Sequence, residues 1–400
     1  MPILGSSASQ SGKLSGVPTI GTATSISSTS ATVEFTAPSY LGKGGSVTYT
    51  ATSSPGSITG SSASSPITVS GLTAGSSYTF TVTATNSNGT STASSASNSI
   101  TMPTPRFMYI MGGINASDQT TVIDKVNLTT DSFSILGSTL PDKRGNGTGF
   151  ANSPTAGYSL GGTDGVGYRS SIAKISMTAD TTSYISAVLS ANILYGLGAS
   201  NNGTAGYLAG GFNDSATARS TIGKLTFSND TRSDIAATIT ARFGGSGVSN
   251  SGTAAYFAGG QINGSGTGTS SIDKLTFSND TRSTLGVYIV FDTGQGYLAV
   301  TAPSNSGTAG YIGGGDKNRY ITKLAYSNDS VSSFLAPATK FRPAAGSNNG
   351  VAGYFAGGLL SGVTSTTYKV TYSNDSVSTI TTFMSSARSY GHAAVNSGTF

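Results

Sequence analysis

The chain has 400 residues, with 21 Lys and Arg, 16 Asp and Glu, one His, no Cys and no Trp, and a formal net charge of +5. Charged residues make up 9%, against roughly a quarter in ordinary soluble domains. Ser, Thr, Asn and Gly must therefore fill the solvent-facing positions, a composition that suits strands and turns and excludes helical bundles. Without Cys there is no disulfide, no thiol nucleophile and no thiolate metal site. The basic residues are thinly spread, which argues against a nucleic-acid partner. No run approaches the roughly 20 apolar residues of a membrane span. Met1-Pro2-Ile3-Leu4-Gly5 opens without the basic and apolar regions of a signal peptide. The expected product is soluble, made in the cytoplasm, not inserted in a membrane and not exported by a standard signal.

Residues 1–16 are rich in Ser and Gly and too polar to form a core, so they read as a flexible or attachment tail. Residues 17–102 carry period-two segments: Ala31-Thr32-Val33-Glu34-Phe35, Val47-Thr48-Tyr49-Thr50-Ala51 and Tyr78-Thr79-Phe80-Thr81-Val82-Thr83-Ala84. Turns break them about every ten residues, which predicts a β-sandwich. The stretch Gly71-Leu72-Thr73-Ala74-Gly75-Ser76-Ser77-Tyr78, followed by Asn86-Ser87-Asn88-Gly89, resembles the late strands of fibronectin type III domains. The resemblance implies a corner role for Tyr78. The early-strand Trp of that family is missing, and Phe35 is the candidate for its place. Residues 103–105, with two prolines, form a short and stiff linker.

From residue 106 the sequence repeats itself. Glycine doublets follow short aromatic segments at Gly112-Gly113, Gly161-Gly162, Gly210-Gly211, Gly259-Gly260, Gly314-Gly315 and Gly357-Gly358, spaced by 49, 49, 49, 55 and 43 residues. Downstream comes a second marker, as in Ile222-Gly223-Lys224-Leu225-Thr226-Phe227 and Ile272-Asp273-Lys274-Leu275-Thr276-Phe277, with Lys125, Lys174, Lys323 and Lys369 in register. A third is the Ser-Asn-Asp turn ending at Asp230, Asp280, Asp329 and Asp375, with Asp131 and Asp180 at the matching places. Each copy reads as four strands. In the third these lie around Gly198-Ala199-Ser200, at Thr204 to Ala209, at Thr221 to Phe227 and at Thr231 to Ile235. Asn and Asp at the turn tolerate the left-handed backbone that hairpins demand.

Four antiparallel strands at a period near 50 predict a propeller blade, and six copies predict a closed ring. The doublet at the end of the second strand resembles Kelch repeats over residues 106–400; the Trp of the Kelch pattern is absent, so the region is Kelch-like. The last residues, Arg388 to Phe400, stop where an aromatic strand should begin, and residues 106–113 supply that strand. The expected fold is thus all-β: a fibronectin type III-like sandwich, then a six-bladed propeller closed by pairing the C-terminal strand with 106–113, which removes the exposed sheet edges.

The inventory for catalysis is nearly empty. Glu34 is the single glutamate and lies in the sandwich; His392 is the single histidine, with no Gly-x-Ser-x-Gly elbow beside it. A histidine-rich metal site is impossible, and neither an Asp-box nor a propeller glutamate supports a sialidase-like mechanism. No catalytic, metal or cofactor residue is assigned. The recurrent Lys residues could form an anion-binding crown, but the preferred expectation is that their stems cover apolar surface while the ammonium groups reach water. The recurrent Asp residues serve turns rather than calcium, because one carboxylate per turn falls well short of the six to eight oxygens that calcium takes. The doublets allow positive φ and close backbone approach, and no helix follows them to bind a phosphate.

What remains is surface. The loops between second and third strands, 115–121, 163–169, 212–219, 261–269 and 316–320, are expected on one rim, with Tyr168, Arg169, Arg219, Arg319 and Tyr320 as candidate binding residues. The opening Met-Pro-Ile-Leu-Gly and its Ser/Gly stretch, the charge-poor composition and the fibronectin segment resemble virion structural proteins of tailed bacteriophages, especially those of marine cyanobacteria. That resemblance implies a non-catalytic fibre, tail or capsid-decoration component, multimeric in the particle. Residues 1–102 would meet other virion proteins, and the propeller would meet a host-surface glycan or protein. A carbohydrate-active enzyme and a bacterial surface adhesin are the alternatives.

Overall fold

The computed structural model describes residues 13–42, 46–152, 154–201, 203–214, 217–250, 252–264, 266–290, 304–305, 307–313, 320–336, 345–348, 351–359, 363–380, 384–387, 389 and 392–396. The protein is all-β, with no helix among the described residues, and divides into two compact units, Met1–Pro105 and Arg106–Phe400.

In the first unit one sheet joins Thr19–Ser25, Ser30–Thr36 and Ile67–Ser70; the other runs Thr59–Ser62, Thr48–Ser54, Ser77–Asn86, Gly89–Thr90, with Ile100–Thr101 also on Ser77–Asn86. Alternation sets the faces. Along Ser77–Asn86 the even-numbered residues Tyr78, Phe80, Val82 and Ala84 turn inward, where they meet Val33, Ile67 and Val69. Phe35 enters this core with its ring 4.5 Å from that of Tyr49. The Tyr78 hydroxyl accepts the Thr73 amide at 3.0 Å and pins the corner. Met102 is buried in the same core and exchanges backbone hydrogen bonds with Ser76 and Gly75, so sandwich structure runs up to Pro103.

The second unit contains six four-stranded antiparallel sheets. Sheet I takes His392–Asn396 as its first strand, then Phe107–Met111, Ile123–Asn127 and Ser132–Ile135. Sheet II is Thr148–Asn152, Ala156–Leu160, Ser171–Ser176 and Thr181–Val188; sheet III is Leu197–Asn201, Ala205–Ala209, Thr221–Thr226 and Thr231–Thr238. Sheet IV is Ser246–Asn250, Ala254–Ala258, Ser271–Thr276 and Thr281–Tyr288; sheet V is Ser304–Asn305, Ala309–Gly313, Tyr320–Ala325 and Ser330–Leu335. Sheet VI is Ala345–Asn348, Ala352–Leu359, Val363–Thr371 and Ser376–Ile380. The fourth strand of sheet III runs three residues beyond its expected end at Ile235. A bulge between the pairs Gly223↔Asp234 and Thr221↔Thr238 absorbs the extra length.

The C-terminal strand pairs with Phe107–Met111 in the register Val395↔Met108. The first strands touch in series from sheet I through sheet VI, and that of sheet VI touches His392–Asn396 again. The apolar core is divided the same way. Six hydrophobic clusters each lie between one sheet and the next, including one that joins Tyr354 and Ala356 of sheet VI to Met108, Ile110 and Val126 of sheet I. All five residues of second strands such as Ala205–Ala209 are buried, because a sheet covers them on both faces.

Small residues set how closely the sheets approach. A Cβ on Gly247 would stand 2.2 Å from the Gly198 carbonyl oxygen, so the first strands of sheets III and IV meet backbone to backbone. Gly206 leaves room for the Phe150 ring of sheet II, which a Cβ would strike at 2.0 Å. One sheet further on the sizes reverse, with Ala199 where Phe150 stands and Ala255 where Gly206 stands.

Candidate functional site

The most regular polar feature of the second unit is a three-residue clamp, built once per sheet. Tyr207 and Lys224 face each other across the second and third strands of sheet III. Both reach the carboxylate of Asp280 in the hairpin turn of sheet IV: Tyr207 donates its hydroxyl at 2.9 Å and Lys224 its ammonium at 2.7 Å. Tyr109 and Lys125 hold Asp180, Tyr158 and Lys174 hold Asp230, Tyr256 and Lys274 hold Asp329, and Tyr311 and Lys323 hold Asp375. The sixth pair, Tyr354 and Lys369 of sheet VI, holds Asp131 of sheet I at 2.8 and 2.6 Å.

Every clamping Asp sits in the left-handed region, with φ between 52° and 54°, a conformation Asp tolerates better than most residues. The Lys side chains are only 18–29% exposed. The expectation that they reach water omitted their partner: each ammonium group, still partly exposed, is paired with the Asp of the next sheet. The recurrent Asp residues, expected to serve turns rather than calcium, also tie neighbouring sheets together. In four clamps an aromatic ring from the next sheet stacks on the Tyr, as Phe277 does on Tyr207 at 5.1 Å. Burial first, and then the hydrogen bond to Asp280, pushes the Tyr207 phenol up to about 12. The same causes raise Tyr109, Tyr158, Tyr256, Tyr311 and Tyr354 well above the usual phenol value.

Among the described residues two arginines are wholly buried. Arg242 donates to the Thr240, Gly259 and Ser271 carbonyls and pairs at 2.6 Å with Asp273, which is also wholly buried and takes Arg282 as well. Arg144 donates to the Ser159, Gly161 and Ser171 carbonyls and pairs with Asp142 at 2.8 Å. Each guanidinium satisfies the carbonyls where the second strand ends and the third begins, so these charges hold the sheet together and are not open to ligand.

The expected rim residues fall on different sheets. Tyr168 and Arg169 lie in the loop between the second and third strands of sheet II, and Arg219 in the same loop of sheet III; Tyr320 opens the third strand of sheet V, and Arg319 lies outside the described residues. Tyr168 is 39% exposed. Arg169 pairs with Asp164 and stands 3.7 Å from Asp142. Arg219 reaches Thr221 and Ser190. Tyr168 and Arg169 belong to one patch, and no hydrogen bond or ion pair among the described residues joins them to Arg219.

That patch is larger than the sequence indicated. Lys143 pairs with Asp118. Gln119, in the orientation its acceptor neighbours demand, donates to Asp118 and to the Asp164 carbonyl. Asp164 accepts the Val166 and Gly167 amides and leads through Arg169 to Asp142, Arg144 and Tyr184. Three cations and three carboxylates thus meet at the junction of sheets I and II, in a chain that is otherwise poor in charge. The amides of Gly167 and Val166, with Arg169, hold Asp164 below the usual carboxylate range; the ammonium of Lys143 and the Gln119 amide do the same for Asp118. Burial, then the hydrogen bond to Asp142, raises Tyr184. Asp118 and Gln119 lie in the loop 115–121 expected on the rim, though neither was singled out, and Asp142, Lys143 and Tyr184 were not expected; the density of charge between residues 118 and 144 is the signal that marks them. Lys174, Ser183, Tyr184, Asn229 and Asp230 also line a polar cleft of about 400 Å³ between sheets II and III. Among the described residues no group of three or more His, Cys, Asp or Glu side chains is placed to hold a metal ion.

Residues 16–100 match the fibronectin type III domain family, so the first unit carries a fibronectin type III domain, a class of module that suggests protein interaction or adhesion. No curated protein matches the chain.

Proposed function

We propose that residues 106–400 form a six-bladed Kelch-like propeller and that the chain is a non-catalytic structural and adhesion component of a tailed-phage virion. In this reading residues 1–102, with the fibronectin type III domain, attach to other virion proteins. The propeller offers its loop-bearing rim to a host-surface glycan or protein, and the chain is multimeric in the particle. The observation that carries the propeller is the clamp series: six successive sheets each grip the next, and the sixth grips the first through Asp131. The same series supports a non-catalytic role, because it commits six carboxylates to ion pairs between sheets. The patch from Lys143 to Tyr184 supports recognition, since it combines planar hydrogen-bonding groups with exposed aromatic rings.

Mass spectrometry of purified particles tests the assignment. The intact chain should be present at a fixed ratio to the major capsid protein. Its absence from particles, together with recovery on the surface of uninfected bacteria, would point to an adhesin instead. Release of product from sialosides or other glycosides by the purified chain would point to a carbohydrate-active enzyme.

A further inference from the structure

We propose that the cleft between sheets II and III, beside the strand Thr181–Val188, binds a neutral pyranose unit with Tyr184 as its platform; the proposal rests on the recognition reading above and gives the glycan a place. Tyr184 is 48% exposed, and the guanidinium of wholly buried Arg144 sits over its ring, 5.9 Å from the centroid. The Tyr184 hydroxyl donates to Asp142. The ring is therefore held in one place while half of the residue stays open. A fixed, exposed aromatic ring offers contact area at low conformational cost. The cleft holds about 400 Å³, at the small end of the roughly 300–1,000 Å³ of small-molecule sites, which suits one sugar unit.

The repeat supplies its own control. Lys174 opposes Ser183 in sheet II, as Lys224 opposes Ser233 in sheet III and Lys274 opposes Ser283 in sheet IV, and each Lys holds an Asp of the next sheet. On this common frame the residue after the Ser is Tyr184, Asp234 or Thr284, and two positions further on stand Ser186, Ala236 and Gly286. Of the three sheets, sheet II alone joins an aromatic ring to a second hydroxyl. In sheet III the matching Asp234 is taken by Arg232. The polar groups of the cleft are open to a ligand. Among the described residues neither the Ser183 nor the Ser186 hydroxyl is hydrogen-bonded to the protein. Asn229 of sheet III commits its side-chain oxygen to Thr231 and keeps its amide nitrogen to donate. The two charges in the lining, Lys174 and Asp230, neutralise each other at 2.6 Å, so the cleft favours neither an anion nor a cation. A pyranose matches these walls: its apolar C–H face suits the ring, and its hydroxyl groups both donate and accept, as the serines and the amide require.

The test uses saturation-transfer NMR on the full chain with the methyl glycosides of glucose, galactose, mannose and N-acetylglucosamine, and with that of sialic acid as the charged comparison, each alone. At least one neutral glycoside should receive saturation. Tyr184→Ala should lower its affinity roughly tenfold, while Tyr184→Phe should keep binding. Ser186→Ala should lower affinity roughly threefold; Ser186 is exposed and without a partner, so this variant should melt with the wild type. Asp234→Ala, the matching change in sheet III, should leave binding unchanged. No saturation of any neutral glycoside, preference for the sialoside, or equal binding by wild type, Tyr184→Ala and Ser186→Ala would overturn the site. Loss of binding in Tyr168→Ala with retention in Tyr184→Ala would also overturn it, yet leave glycan recognition standing on the loops. The particle assay reads the virion assignment independently of all these results.

Discussion

Substituting Asp280 separates what its carboxylate does from what its backbone does. In Asp280→Ala the Tyr207 hydroxyl, on a ring only 1% exposed, loses its acceptor, at a cost of about 1–3 kcal/mol. The Lys224 pair, with side chains 27% and 26% exposed, adds at most about 1 kcal/mol. Alanine at the φ of 53° adds roughly 1–2 kcal/mol, for a total near 4 kcal/mol. Asp280→Gly forfeits the same contacts without the steric term and should cost about 2 kcal/mol. Asp280→Asn keeps an acceptor for Tyr207 and a residue that tolerates the turn, so only the ion pair goes and the loss is about 1 kcal/mol or less. Urea unfolding followed by circular dichroism would rank the three. Equal losses, or an Asn variant as unstable as the Ala variant, would refute the claim that the clamp and the turn contribute separately.

Gly206→Ala should destabilise the second unit by about 1–3 kcal/mol, because the new methyl group meets the Phe150 ring; in a Phe150→Ala background, itself about 3–5 kcal/mol less stable because a core ring is lost, the further Gly206→Ala change should cost little in the same unfolding assay. Arg242→Met strips the carbonyls of Gly259 and Ser271 and one partner of buried Asp273, and calorimetry should register about 3–5 kcal/mol. The clamp tyrosines predict alkaline instability. The Tyr207 phenol is raised to about 12 in the folded state against about 10 unfolded. Its contribution is therefore complete below pH 10 and lost as pH rises towards 12. Absorbance at 295 nm should show these phenols ionising together with unfolding; smooth ionisation of every tyrosine near pH 10 with the fold intact would contradict this.

The local architecture was legible because it repeats. Glycine doublets end strands with positive φ, as at Gly210 and Gly211; Asn-Asp turns and period-two stretches placed the strands to within a few residues. Pairing of the chain's last described strand with Phe107–Met111 was legible too, because each segment holds what the other lacks. The clamps were not, for a physical reason. Lys224 and Asp280 are 56 positions apart and meet across two sheets, and no local pattern records such an encounter. The signal was nevertheless present: in a chain with so few charges, one Lys and one Asp recurred in phase in every copy, and that phase is what mutual neutralisation requires. The buried Arg242–Asp273 pair escaped because in sheet III Ile193 and Gly223 stand at the matching positions, so the repeat does not mark it. The charged patch around Asp142 escaped because attention to exposed loops overlooks the linking segments between sheets.

An introduced disulfide tests closure of the second unit most directly, and the absence of native Cys leaves no competing thiol. Met108 and Val395 are directly opposed; such residues in antiparallel strands lie about 4.5–5.5 Å apart at Cα, within the roughly 4.4–6.8 Å that a disulfide spans. The variant Met108→Cys with Val395→Cys should oxidise without denaturant to a monomer whose digest yields one cross-linked peptide pair. Thiols that stay free in the folded chain, or that link only one molecule to another, would contradict a unit sealed by its own C-terminal strand.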